Sequence, residues 1–156
     1  MFSLEGWTED CSVGNVVVDR MHKLLLETAQ QAVDSLNIED HEILRTKLTE
    51  LVDTYDLLTY KHIEKEECIL ATNKCPNLAT HHEMHLKGLK VLRKIFHKLL
   101  VSTTITYEDK EKIYKYLLTL KIYKINCSRF KSCLYKSDSA LTVLFSHQVA
   151  QNGQLF

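Results

Sequence analysis

An all-α fold is what this sequence predicts: an up-down-up-down four-helix bundle with an irregular N-terminal arm and a short C-terminal tail. Three observations predict it. The 156 residues include only four Gly and one Pro, so little interrupts long helices. Apolar residues, 45% of the chain, recur at intervals of three and four over four long stretches. The breaks between those stretches are short, as they are between antiparallel neighbours in a bundle. The length suits one core, so the bundle is assigned to residues 1–136 and the tail to 137–156.

The arm, residues 1–18, carries Trp7 and Gly14. Asp19 is the expected N-cap of the first helix, whose inner face is Met21, His22, Leu25, Ala29, Ala32, Val33 and Leu36. The second helix begins near Asp40. Its stripe runs Leu44, Leu48, Leu51, Tyr55, Leu58, His62, Glu66, Ile69. "KCPNLAT" ends it, because Pro76 cannot continue a helix and Asn77 can cap the next. The third helix reads Leu78, His81, His85, Leu89, Leu92, Phe96, Leu99. In "TITYED", Thr106 and Asp109 form a capping box for the fourth, which carries Ile113, Leu117, Lys121 and Ile125. The tail holds one apolar patch, "ALTVLF", read as a short docking helix.

Twenty basic and twenty acidic residues cancel, which gives no bulk attraction to nucleic acid or to a membrane surface. Between residues 110 and 136 eight Lys/Arg face one acid, and this is read as a solvated helix face. Five cysteines, with no CxxC pair, fit neither a disulfide framework nor a zinc ribbon. No leader and no membrane-length apolar run is apparent, so a reduced, cytoplasmic protein is expected.

The chemistry lies in the polar positions of the apolar stripes. Residues four apart on a helix share a face. His62 and Glu66 therefore point together, as do His81 and His85 from the next helix, and His22 joins from the first. The two pairs stand at comparable distances from the break at 72–77, so they meet at one level. A single inward histidine is ordinarily a hydrogen-bonded core residue. Four of them around one carboxylate are not, because a buried carboxylate needs a cation or donors beside it. Imidazole with carboxylate suits iron or zinc. A zincin's His-Glu-x-x-His is not present in "HHEMH", and Glu-x-x-His occurs nowhere. His41, His82, His97 and His147 fall off the stripes and are assigned to the surface or the tail.

Three stretches in order, "WTEDCSVGNVVVDRMHKLL", "YKHIEKEE" and "PNLATHHEMH", resemble the hemerythrin family, in its bacterial single-domain form. The resemblance covers about residues 7–130. It implies an oxo-bridged, non-haem di-iron centre in a four-helix bundle that binds O₂ reversibly and turns over no substrate. It also implies roles: His22 and His62 on one iron, His81 and His85 on the other, and Glu66 between them. The fourth helix departs from the pattern. In "KIYKIN", Lys121 stands where the family has a histidine and Asn126 where it has a bridging aspartate. A protonated lysine offers no lone pair, and asparagine lacks the charge of a bridge. Two irons, one ion of iron or zinc, and a metal-free bundle acting as an interaction module therefore remain open. O₂ is the expected ligand, and a protein partner or a second copy is compatible with each version.

Overall fold

The computed structural model describes residues 1–102, 104–125 and 133–134, with the side chains of 120–125 left undescribed. Four helices form the bundle: α1 (Val16–Ser35), α2 (His41–Thr72), α3 (Leu78–Leu100) and α4 (Tyr107–Ile125). A single 3-10 turn, Glu9–Cys11, precedes them, and no strand occurs among the described residues. Packing closes a ring, with α1 on α2 and α4, and α3 on the same two neighbours. No helix among the described residues is long and apolar enough to cross a membrane. Cys11, Cys68 and Cys75 are free thiols. Asn126, Cys127 and the tail from 135 onward lie outside the described residues, the expected docking helix included.

Local chemistry explains most helix ends. Asp40 caps α2 by accepting from the N–H groups of Glu42 and Ile43 at 2.9 and 3.0 Å. Thr106 and Asp109 cap α4 reciprocally: Asp109 N donates to Thr106 Oγ1, and Thr106 N donates to Asp109 Oδ2. Asn77 precedes α3 but makes no side-chain cap; its carbonyl accepts from His81 N.

The start of α1 corrects the sequence expectation. Asn15, four residues before Asp19, is the N-cap and accepts from Val17 N and Val18 N, both at 3.2 Å. Asp19 sits inside the first turn and reaches back, accepting from Ser12 Oγ at 2.7 Å and Val13 N at 2.8 Å. Three successive valines disfavour helix intrinsically. Burial of Val18 and the Asn15 cap outweigh that preference. Gly14, at φ 79°, supplies the left-handed turn that precedes the cap.

At the other end of α2 the chain turns through a Schellman motif. Cys75 N donates to Leu70 O at 2.9 Å and Lys74 N to Ala71 O at 3.0 Å. The left-handed position belongs to Lys74, at φ 51°, where glycine is usual. A non-glycine residue there costs roughly 1–2 kcal/mol. The contact between Leu70 and Cys75 that accompanies the motif is buried.

Among the described residues, two apolar clusters fill the interior. The larger includes Leu25, Ala29, Val33, Leu44, Leu48, Tyr55, Leu92, Phe96, Ile113 and Leu117. The smaller gathers Val13, Val18, Ile69, Leu70, Cys75 and Leu134 around the α2–α3 turn. Asn15 Nδ2 and Asn73 Nδ2 donate to the carbonyls of Leu134 and Cys133, holding that two-residue stretch on the small cluster. Helix register is set by links between elements. Arg93 donates from Nε and Nη2 to Asp56 Oδ2 at 2.9 and 2.7 Å, and from Nη2 to the Tyr60 hydroxyl at 2.9 Å. Tyr116 OH donates to Gly88 O, tying α4 to α3.

Candidate metal centre

The polar side chains that interrupt the apolar stripes meet near the α2–α3 turn. Glu66 is six residues before the end of α2, about 9 Å along the axis. His81 is three residues into α3, about 5 Å from its start. Comparable heights let the two pairs meet, and α1 brings His22 to the same level. His22, His62, Glu66 and His81 are buried, and His85 is nearly so.

One oxygen organises the group. Glu66 Oε2 lies 3.0 Å from His62 Nε2, 3.4 Å from His81 Nε2 and 3.3 Å from His85 Nε2. Three imidazoles from two helices thus present the same ring nitrogen to one carboxylate. His22 faces His62, with ring centroids 4.7 Å apart, and the His81 and His85 rings stand edge to face at 4.2 Å. Trp7 covers His22 at 6.5 Å between centroids, and Lys23 Nζ lies 5.1 Å above the indole.

The donor set fits a metal. Two triplets, His22/His62/Glu66 and Glu66/His81/His85, each bring one ligand atom per residue within 4.8 Å of the others. Bonds of about 2.0–2.2 Å to nitrogen and oxygen place neighbouring donors about 3.0–3.4 Å apart in octahedral or tetrahedral geometry. The Glu66 distances of 3.0, 3.3 and 3.4 Å fall in that interval. Glu66 belongs to both triplets, so one carboxylate serves two adjacent positions. Borderline nitrogen donors with one hard oxygen suit iron or zinc.

Burial pushes the His81 imidazole below its ordinary value; Glu66 pulls it up and His82 pushes it down, both more weakly. A neutral imidazole is the form that binds a metal. The same shift makes the metal-free fold acid-sensitive. With the folded-state value below the unfolded one, the unfolded chain binds more protons between them. The contribution of His81 is therefore complete above its unfolded value of 6.5 and is lost as pH falls below it. Urea midpoints of metal-free protein between about pH 7.5 and about pH 5 should fall, and should fall less steeply in His81→Gln.

The structure brings together all five residues that the spacing singled out. Lys121 lies in α4, but its side chain is undescribed, and Asn126 is outside the described residues. Two further residues continue the cluster outward; the sequence places His82 at the surface and gives Glu67 no role. Glu67 Oε1 stands 3.8 Å from His85 Nδ1, and His82 Nδ1 stands 2.8 Å from the same oxygen. Their signal was adjacency: each directly follows a cluster residue, Glu66 and His81. His41, His82 and His97 are exposed, as expected. A narrow apolar pocket lined by Thr28, Tyr55, Leu92, Phe96 and Leu117 belongs to the large cluster and includes none of the five. No protein-family model matches the chain, and no curated protein matches it.

Proposed function

We propose that this chain is a hemerythrin-like, non-haem iron protein that binds or senses O₂ on an up-down-up-down bundle in the cytoplasm. The single observation that carries the reading is the convergence of three Nε2 atoms on Glu66 Oε2 in the buried interior, with His22 beside them. The ring of helix contacts and the short connections support the topology. His22 and His62 would hold one ion, His81 and His85 the other, and Glu66 would serve both. Bound iron supplies reversible redox chemistry and affinity for a small diatomic ligand. The protein's own part is to keep the His81 imidazole neutral by burial, to set the Glu66 carboxylate among the imidazoles, and to exclude bulk water. Nothing in the cluster selects an organic substrate, so binding rather than turnover is the activity proposed.

Loading metal-free protein anaerobically with ferrous iron and then admitting air tests this. About two irons per chain, with near-ultraviolet absorption that shifts on adding azide, is the expected result. One ion without that absorption supports the mononuclear version. A melting temperature that ignores both iron and zinc overturns the proposal in favour of a metal-free interaction module, because a ligand that binds only the folded state must raise it.

A further inference from the structure

His85 is the most accessible of the five clustered residues, its side chain 13% exposed. Its two ring nitrogens face different carboxylates. Nε2 lies 3.3 Å from Glu66 Oε2, and Nδ1, on the other side of the ring, lies 3.8 Å from Glu67 Oε1. That same Glu67 oxygen lies 2.8 Å from His82 Nδ1. Side-chain exposure rises along the series, from 0% at Glu66 through 13% at His85 and 23% at Glu67 to 47% at His82.

Helix geometry explains the alignment. A step of one residue turns a side chain by about 100°. Glu67 is thereby rotated off the inner face of α2 and His82 off the inner face of α3, and they meet across the seam. An exposed imidazole–carboxylate pair adds little stability, about 0–1 kcal/mol. What distinguishes this pair is that its carboxylate also faces a buried imidazole. With an ion held on the inner side, Nε2 would supply the lone pair and Nδ1 would carry the proton, and Glu67 is the carboxylate on the Nδ1 side.

We infer that Glu67 and His82 form the entry gate of the cluster: Glu67 positions His85, and the pair gives a divalent first-row cation its first ligands on the way in. This rests on reading the cluster as a metal site. Carboxylate and imidazole at the surface are the same donor types as those inside, so a cation changes partners without changing ligand chemistry. His85, touched from both sides, is the residue that receives it.

Stopped-flow uptake of cobalt(II) by the full-length, metal-free chain tests the gate. Parent, Glu67→Gln, His82→Ala and the distant control Lys112→Ala are compared by the visible absorption of the bound ion. Uptake should slow on the order of tenfold in the Glu67 and His82 variants, the scale of losing an outer partner. The final number of ions at saturating cobalt should stay at the parent value, and Lys112→Ala should match the parent throughout. Proton exchange in the zinc-loaded protein gives a second readout: the His85 Nδ1–H should exchange with water more slowly in the parent than in Glu67→Gln. A parent that binds cobalt, with unchanged rates in both variants and unchanged Nδ1–H exchange, overturns the gate alone. A parent that binds no cobalt overturns the cluster reading and the gate with it.

Discussion

Glu66→Gln should weaken binding of iron and of zinc by at least about a hundredfold, because losing even an outer partner of a metal ligand costs roughly 10- to 100-fold. The substitution keeps the shape of the side chain and removes its charge. Glu66 is the one residue common to both triplets, so both ions should be affected together. Losing His22 removes a donor from one triplet only. Competition with a chelator of known strength measures the loss, and the count of ions per chain shows whether it is shared. A Glu66→Gln protein that keeps one ion at parental affinity would separate the triplets and refute a common carboxylate.

Phe96→Ala should have the largest effect on stability. Phe96 is buried in the larger apolar cluster, where it meets residues of α1, α2 and α4 around the narrow pocket. Truncating a buried phenylalanine costs about 3–5 kcal/mol, lost transfer energy plus the cavity left behind. Against a typical total of about 5–15 kcal/mol, that is about a fifth or more of what holds such a domain together. Urea denaturation of metal-free protein should show a lower midpoint with little change in slope. The count of ions per chain at low temperature should not move, because Phe96 is in neither triplet.

The periodic parts of the molecule were legible because they depend on local geometry. The α2 stripe from Leu44 to Ile69 needs only the helical repeat. Asp40, Thr106 and Asp109 act within a turn of where they stand. The juxtaposition of His62/Glu66 with His81/His85 follows from two i,i+4 pairs flanking one break. What resisted reading depends on other parts of the chain. Asn15 caps α1 although valines follow it, because packing in the small cluster decides that start. Lys74 occupies a position where glycine is usual, so residue type gave no sign of the Schellman turn. The meeting of Glu67 with His82 depends on how α2 and α3 are rotated about their own axes, which no spacing within one helix encodes.

The buried charge and imidazoles lie between the two apolar clusters and divide the interior unequally. Among the described residues, Leu70, Cys75 and Leu134 therefore belong to the smaller compartment, where two asparagine amides hold the carbonyls of Cys133 and Leu134. The chemistry-bearing residues thus sit at the boundary between a larger and a smaller apolar compartment, so a change of packing on either side reaches them.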